Sequence, residues 1–314
     1  MKYIFFLLFS TLLLTTELYS KETCGADLFH NFPQNHQEVM KDAKYGAASV
    51  ALPLHACVLE NITYMGTTDT SSVQKIIDQE LKTHGSTKTL WALPFPAQRS
   101  PVFLYVLNYK KASLNPYREV AIVVATAENK AIYDEFKKYS VARKWSEFFK
   151  ATKFKTGYSK LENTADVLGL EKNGIKLLIL KIYLDKKYPI EVGNKIWKMG
   201  KKSVSNINIS KKGLVGEWSI SEGSNVFKQK IFGVGILPAI KFSFSYFSHT
   251  VGGEYVPAIF EGKGYFGTFM GNKKTFLDQN STQLGRDLNA LNFKPMSWFY
   301  FPKGRGVFFH VNGL

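Results

Sequence analysis

Two adjacent lysines, Lys201 and Lys202, stand where a lysine can do chemistry. Lysine pairs are common in this chain, and KK also occurs at 110–111, 137–138, 186–187, 211–212 and 273–274. The pair at 201–202 differs in what precedes it. The run YLDKKYPIEVGNKIWKMGKKSV, residues 183–204, carries Ile190, Val192, Ile196 and Trp197 in a short apolar, helix-like stretch over 190–199, which is followed by Gly200. Two amines therefore lie beside an apolar segment rather than on an open charged face. An amine in such surroundings has a depressed pKa, and a neutral lysine is a nucleophile toward carbonyls. An ordinary lysine is only about 0.04% neutral at pH 7, and lowering its pKa by about three to four units would take roughly 4–5 kcal/mol from the environment. Burial near Trp197 and Ile196, together with the charge of Lys202, is the expected source of that shift. Glu119 is a carboxylate at the start of an expected strand. It lies in Pro116-Tyr117-Arg118-Glu119, which opens the apolar run AIVVA. Taken alone, a Tyr-x-Glu at a strand start reads equally well as an edge carboxylate paired with a lysine.

The lysine segment resembles the acetoacetate decarboxylase family. That family's signature runs YLD, four residues, a small apolar stretch, GRE, an aromatic residue and PKK. Here YLD at 183–185, Val192-Gly193, Trp197 and Lys201-Lys202 fall at matching spacing without a gap. Pro116-Tyr117-Arg118-Glu119 is similar to the family's Tyr-x-Glu segment, and DLNAL at 287–291 leads into the last strands as a weaker match. The resemblance covers roughly residues 90–314. It implies that Lys201 forms an imine with a keto group, that Lys202 is the neighbouring cation, and that Glu119 orients substrate or water and carries a proton. Tyr117, Trp197 and Ile196 would line the substrate pocket. There are departures. The family's GRE is Gly193-Asn194-Lys195 here and its PKK is Gly200-Lys201-Lys202; the expected arginine near Cys57 and second glutamate near Leu104 are missing. The groups that would hold a substrate carboxylate are therefore the ones lost. The expected function is a decarboxylase-like lyase using a lysine Schiff base on a keto acid or other small carbonyl compound. The rivals are a Schiff-base aldolase or dehydratase, and a non-catalytic barrel that binds a small apolar or carbonyl ligand. No cofactor is implied, and the expected partner is the small carbonyl substrate, with a homo-oligomer left open.

Other chemistry finds less support. Gly262-Lys-Gly264-Tyr-Phe-Gly267 matches G-x-G-x-x-G, but a strand-like run follows it where a dinucleotide site needs a helix, so a glycine-containing turn is expected. Gly200-Lys201-Lys202 lacks the upstream glycine spacing and the following Ser or Thr of a P-loop. The six histidines form no H-E-x-x-H set, and His55-x-Cys57 is the one close ligand-type pair; no metal is expected. No G-x-S-x-G occurs. Phe242, Phe244 and Tyr246 alternate as a strand's core wall would, rather than as a base-stacking platform.

The elements that must position these residues are mostly short and β-like. Residues 72–84 read as a helix with Ser71 and Gln74 as a capping box, and 129–150 as a second, with Ile132, Phe136, Val141, Trp145 and Phe149 on one side. Strands are expected at 102–109, 118–126 and 175–184. From 203 onward, period-two runs separated by Gly, Ser or Asn follow one another to the end of the chain. No parallel βαβ rhythm is visible, which speaks against a Rossmann-type enzyme. The expected fold is mainly β with a few helices (α+β), an antiparallel β-barrel or sandwich. The 314 residues carry a net charge of +16 and 45% hydrophobic residues, enough for one large core. Residues 1–20 read as a signal peptide, with Lys2 before the apolar run 3–14 and Ser20 at the cleavage position. Residues 21–314 then form a single domain whose first part, 21–60, is irregular. Export, secreted or periplasmic, argues against nucleic acid as the partner of the scattered basic charge, and no integral membrane segment is expected after signal cleavage. In that setting the two cysteines, Cys24 and Cys57, are expected to form one disulfide. Three sequons occur, at Asn61, Asn208 and Asn280.

Overall fold

A computed structural model describes residues 26–95, 97–142, 175–234, 239–268 and 280–310. In chain order its elements are α1 (Ala26–Asn31), β1 (His36–Val39), β2 (Ser49–Leu52), β3 (Leu54–Asp69), α2 (Thr70–Thr83), β4 (Trp91–Ala92), β5 (Arg99–Ala112), β6 (Tyr117–Ala127), α3 (Lys130–Ala142), β7 (Ile175–Leu184), α4 (Lys187–Ile196), β8 (Lys201–Ser203), β9 (Asn206–Lys212), β10 (Val215–Glu222), β11 (Asn225–Phe232), β12 (Ile240–Thr250), β13 (Tyr255–Thr268), α5 (Gln283–Ala290) and β14 (Lys294–Phe308). The protein is mainly β, as the period-two runs require.

The large sheet is ordered β4-β6-β5-β3-β14-β13-β12-β7-β8, and β6 also pairs with β7. That extra pairing closes the strands β6-β5-β3-β14-β13-β12-β7 into a ring. Period-two spacing then sorts side chains onto two faces. On the outer face, Ile62 and Tyr64 of β3, Leu104 and Val106 of β5, Val120 and Ile122 of β6 and Trp298 of β14 form one apolar cluster. Two layers cover it. One is α2, whose Val73, Ile77 and Leu81 recur every four residues and are buried. The other is the antiparallel meander β9-β10-β11, which brings Ile207, Trp218, Ile220 and Phe227. Trp218 Nε1 donates to Tyr64 Oη at 3.0 Å, so the largest outer side chain has its polar atom satisfied. The inner face carries Leu107, Tyr109, Ala121, Val123, Ile182, Val256 and Phe260.

Several expectations are revised. The large sheet is mixed rather than antiparallel throughout: β7 pairs in parallel with β12 through 177–179 and with β8 through 182–184. β7-α4-β8 is thus a parallel βαβ unit. Its second strand is three residues long, too short to show a period. Residues 21–60 are not irregular where described, because α1, the β1-β2 hairpin and the start of β3 occupy them. The capping box is not made: Asp69 is the N-cap of α2 without a side-chain bond, and Gln74 instead spans to β4, donating to Leu90 O and accepting from Ala92 N. Gly262, Gly264 and Gly267 lie inside β13, where the first two allow the close approach of β14 at Gly304 and Tyr300. The side chains of Phe242, Phe244 and Tyr246, the expected signal segment, Cys24 and the expected helical residues 143–150 lie outside what is described.

Candidate active site

The ring encloses an apolar lumen of about 70 Å³, room for on the order of five waters or one small organic molecule. All seven ring strands line it, among them Asn61 of β3, Tyr105 of β5, Ser248 of β12 and Phe308 of β14. The segment after α4 adds Trp197, Met199 and Lys201 to the lining.

Lys201 enters this lumen because of strand register. β8 runs beside β7 with Ile182 opposite Lys201 and Tyr183 opposite Lys202. Ile182 faces the lumen and Tyr183 the outer core, so neighbouring lysines point to opposite sides of the sheet. The path from α4 to β8 is a tight reversal in which Lys198 has φ 48° and Gly200 φ 63°. A Cβ at Gly200 would also collide with the His84 ring, so glycine is required there twice over. Asn194 then clamps the strand start: its Oδ1 accepts from Lys201 N at 2.6 Å and its Nδ2 donates to Lys201 O at 3.3 Å. Gly193 opens the channel for the side chain, since a Cβ on it would overlap Lys201 Cε and Cδ and sit 2.8 Å from Nζ.

Glu119 arrives from β6, whose register sets it opposite Leu107 of β5 and Leu184 of β7. Asp185 locks that register, accepting from Arg118 N at 2.9 Å and pairing with Arg118 Nη1 at 3.3 Å. The result is an ion pair, Lys201 Nζ to Glu119 Oε2 at 3.5 Å, with side chains only 6% and 10% exposed. Tyr117 completes the group. Its ring centroid is 6.0 Å from Lys201 Nζ, and it stacks on Tyr109 at 4.3 Å. Burial pushes the Lys201 amine below its usual pKa, and the Glu119 carboxylate only partly offsets this. Burial likewise raises Glu119, against the pull of Lys201. Tyr117 is held well above 10 by burial and then by the Glu119 charge, so it stays a phenol. The two ionisable partners are thereby brought toward proton exchange with each other.

The structure thus brings Lys201, Glu119, Tyr117 and Trp197 together. It separates Lys202 and Ile196 from them. Lys202 is exposed and lines an outer groove with Tyr183, Glu222 and Arg286, so its charge is not what depresses Lys201. Ile196 is buried in the inner apolar cluster but does not line the lumen. The positions where a family arginine and second glutamate were sought also resolve. Leu104 faces the outer core, and no arginine lines the lumen among the described residues. Asn61, one of the three sequons, is a buried lumen residue, whereas Asn208 and Asn280 are exposed. Sequence reasoning passed over Tyr105, Tyr109, Asn61 and Ser248; strand alternation with Glu119 and its cross-strand partners is the signal that would have found the first two. Among the described residues no group of three or more His, Cys, Asp or Glu could hold a metal ion, and no helix is long and apolar enough to cross a membrane.

The sequence matches no family model and no curated protein. Solved structures do match. One is the enduracididine biosynthesis enzyme MppR complexed with the condensation product of pyruvate and imidazole 4-carboxaldehyde, at 10% identity and a TM-score of 0.42, covering 82% of this chain and 87% of that one. Another is acetoacetate decarboxylase, at 9% identity and a TM-score of 0.41, covering 82% of this chain and 87% of that one. Both likenesses run over most of each chain at low sequence identity.

Proposed function

We propose that this protein is an exported lyase that binds a small carbonyl compound as a Schiff base on Lys201. The observation that supports it is the buried Lys201–Glu119 pair in an apolar lumen, with the amine depressed and the carboxyl raised. The chemistry balances on these two residues. The ammonium gives a proton to the carboxylate, leaving an amine and a carboxylic acid. The amine nitrogen attacks the carbonyl carbon, and the C=O electron pair moves to oxygen. Proton transfer from nitrogen to oxygen yields a neutral carbinolamine. Glu119 returns its proton to the hydroxyl, water leaves, and a C=N⁺ iminium remains beside the Glu119 carboxylate. The iminium is an electron sink: a bond at the adjacent carbon, C–CO₂⁻ in a β-keto acid or C–H in a simple ketone, breaks with its electrons flowing to nitrogen. Tyr117, locked against Tyr109, is placed to hold the phenol proton near the reacting atoms.

The test is reductive trapping. The purified protein is incubated with a small ketone and borohydride, and adducts are mapped by peptide mass spectrometry. A single adduct on Lys201 is expected, absent from the Lys201→Met variant. Labelling confined to other lysines would refute the assignment, and no ketone-dependent labelling at all would leave a binding barrel.

A further inference from the structure

We infer that the lumen selects an uncharged carbonyl compound, a ketone or aldehyde whose further polar group is neutral, and that the Ser248 hydroxyl is the residue that reads that group. This rests on the Schiff-base reading above and adds the substrate class. The first observation is charge balance. Of the described residues lining the lumen, Glu119 and Lys201 are the only Asp, Glu, Lys or Arg. His55, the one other ionisable base there, is tied through Nε2 to Phe32 O at 2.8 Å, and burial pulls its pKa down, so it brings no cation at neutral pH. With a neutral substrate the cavity stays net neutral at every step: ammonium and carboxylate, then amine and acid, then iminium and carboxylate. A substrate carboxylate would add a buried negative charge next to Glu119, with only one cation for two anions. Burying a charge without a partner is strongly unfavourable.

The second observation is an unused donor. Ser248 is fully buried and lines the lumen, yet among the described residues its Oγ has no hydrogen-bond partner. Its orientation follows from register: across β13 it faces Val256, itself a lumen residue. Buried hydroxyls are rarely left unpaired. This one belongs to the lining of a cavity whose other walls are mostly apolar, and a rotation of its side chain toward a ligand would let it donate to a carbonyl or amide oxygen. Asn61 is less available, because its Oδ1 already accepts from Thr63 Oγ1 at 3.1 Å.

The experiment compares pyruvamide with pyruvate, two ligands of nearly the same shape that differ by one charge. Each is trapped on the full mature protein with cyanoborohydride, and labelling of Lys201 is normalised to that of free Nα-acetyl-lysine. The neutral amide is expected to label Lys201 at least roughly 100-fold more efficiently than the carboxylate, the scale of an unpaired buried charged group. Ser248→Ala is expected to raise the half-saturating pyruvamide concentration about tenfold, with the maximal rate little changed. Equal or preferred labelling by pyruvate would overturn the substrate class while leaving the Schiff base intact. An unchanged half-saturating concentration in a folded Ser248→Ala protein would remove Ser248 from the inference. Failure of both ligands to label Lys201 would sink this inference together with the function it rests on.

Discussion

At the scale of single residues, the site is one buried amine and one buried carboxyl 3.5 Å apart, each shifted by burial toward its neutral form. The sign of the pH dependence follows. Only the neutral amine attacks a carbonyl, so Lys201 labelling should rise with pH through an inflection below the ordinary lysine value of 10.5. Glu119 is the group that holds the amine's pKa up against burial. Glu119→Gln should therefore move the inflection to lower pH, while the maximal rate falls roughly 100-fold for want of the proton carrier. Rates of reductive labelling from pH 5 to 10 on both proteins check this; an inflection moving upward would contradict the assignment. Lys201 was marked by its apolar approach, and Glu119 only by the family resemblance of its segment. The role of Lys202 was not legible, because residues adjacent in a strand face opposite sides, and only a known strand says which of two lysines is inside.

At the scale of elements, α4 and β8 form the device that delivers the amine. α4 buries Val192 and Ile196 and presents Gly193 to the lysine stem. An alanine at this helical position would ordinarily favour the helix by up to about 1 kcal/mol. Here the added Cβ occupies the channel of Lys201 Cδ and Cε. Gly193→Ala should therefore leave the fold within about 1–3 kcal/mol of the parent yet reduce Lys201 labelling more than about tenfold. Thermal melts together with trapping rates separate the two effects; normal labelling would show that the lysine takes another path. The helix was visible in the sequence to within a few residues. The strand after it was not, since Lys201–Ser203 is held by pairing with β7 and by Asn194 rather than by any pattern of its own.

At the scale of the whole molecule, the ring of strands separates an outer core, under α2 and the β9-β10-β11 sheet, from the inner lumen. The N-terminal segment is fastened to this body by packing: Phe29 and Phe32 meet Ile259, Val307 and Phe309, with Cys57 beside them. A Cys24–Cys57 disulfide would add a covalent tie at the same place, and closing a loop of that length should contribute about 3–4 kcal/mol. Thiol counting on the unreduced protein is expected to find no reactive cysteine, and reduction should lower the melting temperature. Two reactive thiols would end the proposal.

The division between sequence and tertiary structure runs along range of interaction. Local patterns specified what local forces govern. Period-two alternation marked most strands, the shared face of Ile76, Ile77 and Leu81 marked α2, and the apolar run ending at Gly200 marked a lysine out of the ordinary. What remained hidden depends on pairing between segments far apart in the chain. Closure of the ring by β6 and β7, the opposite facing of Lys201 and Lys202, the meeting of residues 119 and 201, and the charge count of the lumen all follow from register across strands. A one-residue change of register would send every one of those side chains to the other face, and no pattern within a single strand records which register its neighbour adopts.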